Sequence, residues 1–176
     1  TIIAMIIDHR LNIAKKIPSE NYNQRPDNTD ITLVVIHNIS LPPGEFGNTH
    51  IEDFFTNKLK INKHAYFKTL EDVKVSAHLL IKRDGSIVQF VDFNQRAWHA
   101  GQSSFNEVGD CNNYSIGIEL EGTDNSAYET SQYTSLNQVL SILRSHYPIT
   151  DIKGHNEISP GRKTDPGPAF EWSKLT

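Results

Sequence analysis

The chain has almost no cysteine. Cys111 is alone among 176 residues, so no disulfide can close within it, which fits a reducing compartment. It has no apolar run near the ~20 residues that a membrane helix needs, so no membrane partner is expected. It has no excess of positive charge: 17 Lys and Arg stand against 21 Asp and Glu, a net charge of -4. A broad nucleic-acid-binding surface is therefore not expected. Between Ala97 and Leu143 there is no Lys or Arg at all. Repeats, low-complexity tracts and linkers are also missing, and the length suits one domain.

Methionine is nearly missing too. Met5 is the only one. We expect it to be the natural start, with residues 1–4 an upstream leader and residues 5–176 the domain. The apolar stretch around it is cut off by Asp8 and His9 and has no basic segment before it, so no signal peptide is expected. A cytoplasmic location follows, with a monomer as the default state. Intact-mass analysis of protein made from the native gene should show residues 1–4 absent.

What is present is ordinary globular composition, 37% hydrophobic and 22% charged. "ITLVVIH" (Ile31 to His37) reads as a buried strand. "HIEDFFTNKL" reads as a short helix with Ile51, Phe54, Phe55 and Leu59 on one face. "VSAHLLIKRDGSIVQFV" reads as two strands turning at Asp84-Gly85. "YSIGIELEG" alternates Ile116, Ile118 and Leu120 against Ser115, Gly117 and Glu119. "TSQYTSLNQVLSILRSHYP" is the clearest helix, with Pro148 as its stop. "ITDIKGH" is a last short strand, and "FEWSKL" starts a terminal helix. The prediction is a single α/β (α+β) domain, a mixed central sheet with helices packed on its faces.

Two of the eight histidines, His37 and His155, sit where a strand gives way to a loop. Asp165 follows His155 across "GHNEISPGRKTDPGPAFEW", whose prolines and glycines exclude helix and sheet. Two imidazoles and one carboxylate suit zinc and leave a fourth position for water, whose pKa zinc lowers from 15.7 to about 7. The alternative for each histidine is a backbone-bonded strand end. Glu119 is either a water-facing residue of an edge strand or a general base. Lys163, two residues before Asp165, is either a solvated lysine or an oxyanion stabiliser. Cys111 reads as an incidental thiol, since nothing nearby depresses its pKa.

The blocks "VVIHNISLPPGEFG", "VSAHLLIKRDGSIVQFV", "RAWHAG", "CNNYSIGIELEGTD" and "GHNEISPGRKTDPGPAFEW" resemble the zinc N-acetylmuramoyl-L-alanine amidases. That family includes phage amidases and cytoplasmic enzymes acting on 1,6-anhydromuramyl-peptides, and is related to peptidoglycan recognition proteins. The resemblance runs from about Met5 to Trp172. It implies one zinc ion held by His37, His155 and Asp165. It implies Glu119 as the base and Lys163 as the oxyanion stabiliser. Phage amidases and recognition proteins place Cys where this chain has Asp165, so the resemblance favours the anhydromuramyl branch. The substrate implied is a small muropeptide, cut between the lactyl group of muramic acid and L-alanine.

The peptide's carboxylates call for cations, and Lys74, Arg96 and Arg162 are the candidates. Asn38, Trp98 and His99 are further candidate substrate contacts. The family's basic residues around the Cys-Asn pair are replaced here by Glu107, Val108 and Asp110, which bears on how substrate is gripped. Two other readings stand beside the first: an amidase acting on intact peptidoglycan, and a binding module that does not cut.

Overall fold

The computed structural model describes every residue from Thr1 to Thr176. Its main sheet has six strands: β1 (Lys15–Lys16), β2 (Leu33–Ile39), β3 (Leu79–Ile81), β4 (Ile87–Gln89), β5 (Ser115–Glu121) and β6 (Asp151–Gly154). Their spatial order is β6-β2-β5-β3-β4-β1, parallel throughout except for the β3–β4 hairpin. Three helices accompany them: α1 (His50–Phe55), α2 (Thr130–His146) and α3 (His155–Ile158). Shorter two-stranded ribbons lie at 6–11, at 104–109, and between 22–24 and 95–97. This is the mixed, single-domain sheet that the sequence pattern predicts, and no helix is long and apolar enough to cross a membrane.

The two faces of the sheet differ. Val34 and Ile36 of β2, Leu79 and Ile81 of β3, and Ile116, Ile118 and Leu120 of β5 pack under α2 through Leu136, Val139, Leu140 and Leu143. The stripe on α2 follows the period of a one-sided helix. Its start is bracketed by the Glu129 N–H donating to Gln132 Oε1 at 3.0 Å, and it ends two residues before Pro148. The opposite face carries two smaller apolar clusters. One joins α1 (Ile51, Phe54, Phe55) to Leu80, Val88 and Phe90, with Leu59 packed beside it though outside the helix. The other joins Leu33 and Val35 to Ala100, Cys111 and Ile158. The polar residues discussed below sit on this second face.

Three differences from the sequence pattern have physical causes. The strand expected over 31–37 runs over 33–39, because β5 pairs with β2 through and past His37, to Ile39, while β6 pairs with it only as far as Ile36. The segment expected to exclude helix opens with α3, one turn placed before Pro160 and held by the Glu157 carboxylate accepting from the Gly154 N–H at 2.9 Å. The C-terminal "FEWSKL" makes only a 3₁₀ turn at 172–174, since so few residues cannot sustain a helix.

Arg25 ties the second face together. It is 7% exposed, and its guanidinium donates to the carbonyls of Phe93, Asn112, Asn113 and Ser115 at 2.8–3.3 Å. Burial lowers it only to about 10, so it stays charged at neutral pH. Beside it lies His78, fully buried, whose Nδ1 accepts the Gly117 N–H at 3.1 Å. Burial, and then the Arg25 charge, push His78 down to about 3. A base depressed in the folded state contributes stability that is complete above its unfolded pKa near 6.5 and is lost as pH falls toward 3. His78→Asn keeps the Nδ1-type acceptor and removes the titration. Urea unfolding at pH 7 and pH 4.5 should show the variant less acid-sensitive than the parent, by on the order of 1 kcal/mol per pH unit.

Candidate metal centre

The site grows from the pairing of β2 with β5. Their parallel register sets His37 directly opposite Glu119. Paired residues on parallel strands project to the same face, so both side chains leave the sheet together. The β6 strand, on the other side of β2, ends at Gly154 opposite Ile36 and delivers His155 at the first position of α3. The segment after α3 returns to place Asp165, and the Asn156 N–H donates to its carbonyl at 3.0 Å.

Three atoms converge. His37 Nδ1 lies 3.0 Å from His155 Nδ1 and 3.1 Å from Asp165 Oδ2, and His155 Nδ1 lies 3.2 Å from that same oxygen. Both rings are buried and the carboxylate is nearly so. The far nitrogens are engaged elsewhere: His155 Nε2 with the Ala100 carbonyl at 3.0 Å, and His37 Nε2 with His99 Nδ1 at 2.9 Å. A carbonyl only accepts, so His155 Nε2 carries the proton and neutral His155 turns a lone pair toward the cluster. Lone pairs and a carboxylate oxygen packed this closely suit a cation, and a set of two imidazoles and one carboxylate suits zinc with an open position.

The electrostatics agree. Burial keeps His37 neutral by pushing its pKa down, against the raising effect of Asp165. Burial alone would raise Asp165, but the two imidazoles against its Oδ2 outweigh it and hold the carboxyl far below the usual range. Both shifts favour the forms that a metal requires, a neutral His37 and an ionised Asp165.

Glu119 stands 3.9 Å from His37 Nδ1 through Oε1. It is 8% exposed on the central strand β5, so the edge-strand reading does not hold. Its Oε2 has no protein partner. Burial, then the Asp165 charge, raise its pKa well above the carboxylate range, opposed by Lys163. All five residues line one groove of about 670 Å³. Tyr66, Leu70, Val75 and Trp98 supply an apolar wall, and Asn38, Thr123, Asp124 and Asn125 a polar one.

The remaining sequence candidates divide. Trp98 lines the groove, its Nε1 held by Asn23 Oδ1 at 3.0 Å. Asn38 also lines it, but its amide donates to Asp124 and to the Pro166 carbonyl, tying down the segment that carries Asp165. Lys74 is exposed away from the groove, and Arg96 is not on it either. Arg96 instead bonds Asn113, Asn23 and Asp110. Asp110 thus pairs with a cation expected at the substrate. His99 also lines the groove, nearly buried beside His37, with both ring nitrogens engaged by His37 and Ser115. Arg162 and Lys163 are the only cations on the groove, and Arg162 braces the carbonyls of Ala100 and Gln102.

Sequence reasoning missed Asn112 altogether. Its Oδ1 accepts the N–H groups of both His99 and Ala100, fixing the dipeptide that backs both histidines. Only the long irregular run around it hinted at a role.

The molecule is thus a six-stranded mixed sheet with a histidine–histidine–carboxylate cluster able to hold a metal ion. The chain belongs to the N-acetylmuramoyl-L-alanine amidase family, whose model matches residues 27–168. It is 51% identical over 164 residues to the 1,6-anhydro-N-acetylmuramyl-L-alanine amidase AmpD of Citrobacter freundii, covering 92% of this chain and 88% of that one. The crystal structure of a Se-Met AmpD derivative superposes with a TM-score of 0.95 at 48% identity, covering 98% of this chain and 99% of that one. The amidase AmiD from E. coli, in complex with the substrate anhydro-N-acetylmuramic acid-L-Ala-D-γ-Glu-L-Lys, matches with a TM-score of 0.61 at 28% identity. That match covers 86% of this chain and 59% of that one.

Zinc added at 100-fold over its Kd should stabilise chelator-treated protein by about 2.7 kcal/mol. That is a Tm rise of roughly 5–10 °C for a chain of this size. Asp165→Ala should abolish the rise, as read by thermal unfolding with and without zinc.

Proposed function

We propose that the protein is a zinc-dependent amidase of peptidoglycan recycling. It cuts the amide between 1,6-anhydro-N-acetylmuramic acid and L-alanine of a soluble muropeptide in the cytoplasm. The observation that carries this reading is the convergence of His37, His155 and Asp165 beside the unpartnered Oε2 of Glu119, in one groove. The AmpD relatives supply the substrate class, and the AmiD complex carries an anhydromuramyl-peptide.

His37, His155 and Asp165 would hold one zinc ion. When bound, zinc supplies a Lewis acid for the scissile carbonyl and lowers the pKa of water. Glu119 Oε2 takes the proton of the attacking water and returns it to the departing L-alanine nitrogen. The burial that raises the Glu119 pKa suits it to hold that proton between the two steps, and a cation at the neighbouring cluster restores the ionised form that accepts it. Lys163, on the groove and two residues from Asp165, opposes the negative charge that develops on the carbonyl oxygen. Trp98 and Tyr66 give the sugar an apolar wall, and Arg162 meets the peptide's carboxylates.

Lys163→Ala should reduce kcat by about 10²–10³-fold, the usual effect of losing one oxyanion donor, with zinc still bound. Glu119→Gln should lose turnover while keeping zinc. The reading itself is tested by incubating the protein, with and without chelator, with soluble anhydromuramyl-peptide and with intact sacculi. Release of peptide from the soluble substrate alone, abolished by chelator, is the expected result. Release from sacculi would make it an enzyme of the intact wall. Binding without release would make it a recognition module.

A further inference from the structure

His99 lines the groove, yet both of its ring nitrogens are engaged within the protein. Its ring lies over Gly117 on β5, and a Cβ on that glycine would sit 2.4 Å from His99 Cγ, so no other residue type fits beneath it. One ring nitrogen, Nδ1, meets His37 Nε2 at 2.9 Å, and the other, Nε2, meets Ser115 Oγ at 3.1 Å. His37, His99 and Ser115 are all buried, so no solvent competes for these contacts. The backbone on both sides is fixed: Asn112 Oδ1 holds the His99 N–H at 3.1 Å, and Arg25 holds the Ser115 carbonyl at 2.8 Å.

This arrangement differs from the one at His155. There the far nitrogen faces a carbonyl, which can only accept, so the tautomer is set without help. At His37 the far nitrogen faces an imidazole, which can accept or donate. His37 presents its Nδ1 lone pair to the cluster only if its Nε2 proton has an acceptor. That requires His99 to be protonated on Nε2, toward Ser115, and unprotonated on Nδ1.

We propose that the Ser115–His99 pair is a positioning device for the metal centre. Ser115 Oγ accepts the His99 Nε2 proton, His99 Nδ1 accepts the His37 Nε2 proton, and His37 Nδ1 is left as a ligand lone pair. The inference rests on the reading of His37, His155 and Asp165 as zinc ligands. It assigns His99 no contact with substrate. Ligand orientation by a hydrogen bond to the far ring nitrogen is a general device of metal sites, where its loss weakens metal binding by about 10–100-fold.

The test measures zinc dissociation constants by chelator competition for the parent, His99→Leu, His99→Asn and Ser115→Ala. Thermal unfolding of the zinc-free forms serves as the folding control. Leucine fills the site without an acceptor, whereas asparagine can set its Oδ1 near the position of Nδ1. His99→Leu should bind zinc about 10–100-fold more weakly, and His99→Asn should recover most of that loss. Ser115→Ala, the mildest change, should also weaken zinc binding. Imidazole nitrogen NMR of the zinc-loaded parent should show His37 and His99 each protonated on Nε2.

Zinc bound by His99→Leu as tightly as by the parent overturns the inference and leaves the zinc reading intact. So does a His99→Asn variant as weak as His99→Leu with equal zinc-free stability. A His99 protonated on Nδ1 in the zinc-loaded parent overturns it too. A parent chain that binds no zinc overturns the zinc reading and the inference with it. If His99→Leu fails to fold, the Ser115→Ala constant and the parent's NMR decide.

Discussion

The structure depends on the register between β2 and β5. Seven consecutive residue pairs lock these strands, and one of the pairs is His37 with Glu119. A slip of either strand by a single residue would turn its own His37 or Glu119 to the face covered by α2, where Val34, Ile36, Ile116 and Ile118 now sit. The same slip would put the aliphatic residues of the shifted strand on the groove side. Burial of one face by α2 therefore enforces the geometry of the other, and the chemistry inherits its precision from the core beneath it.

The polar face is divided rather than continuous. One apolar cluster forms around Leu80 and Phe55, another around Val35 and Ile158, and the histidines occupy the gap between them. Buried polar groups are tolerated only when partnered. Nearly all of them here are: Ser115 with His99, His99 with His37, His155 with Ala100, and the 99–100 backbone with Asn112. The exceptions are Glu119 Oε2, at the groove, and Glu52 Oε2, in a separate ionic cluster with Lys82. An unpartnered carboxylate oxygen in an otherwise satisfied centre marks where water and substrate would supply the missing donor.

Much of the fold was legible because its signals are local. The β-branched run of β2, the stripe of α2 and the Asp84-Gly85 turn each state their structure within a few residues, and Gly85 does adopt a positive φ of 84°. The five residues expected to act together were legible through family resemblance, not through spacing. The cation candidates fared worse. Lys74 and Arg96 were named because the intervening chain has no other basic residue, but absence along the chain does not locate a side chain in space. Arg96 is claimed by Asp110 and Asn113, partners that only the folded ribbon brings near.

The sequence by itself determined the element types, the one-sided burial of α2 and the residue types able to hold a divalent cation. These follow from periodicity, turn chemistry and donor atoms, which need no tertiary contact to be read. Only the tertiary structure decided that Glu119 lies on a central strand, that Asn112 backs both histidines, and that the His99 ring bonds a neighbouring histidine and Ser115. Each of those depends on which segments are neighbours across the sheet. His99 meets His37 over a separation of 62 residues, and His37 meets His155 over 118. No local pattern encodes such pairings, because they arise from the burial of the whole sheet at once.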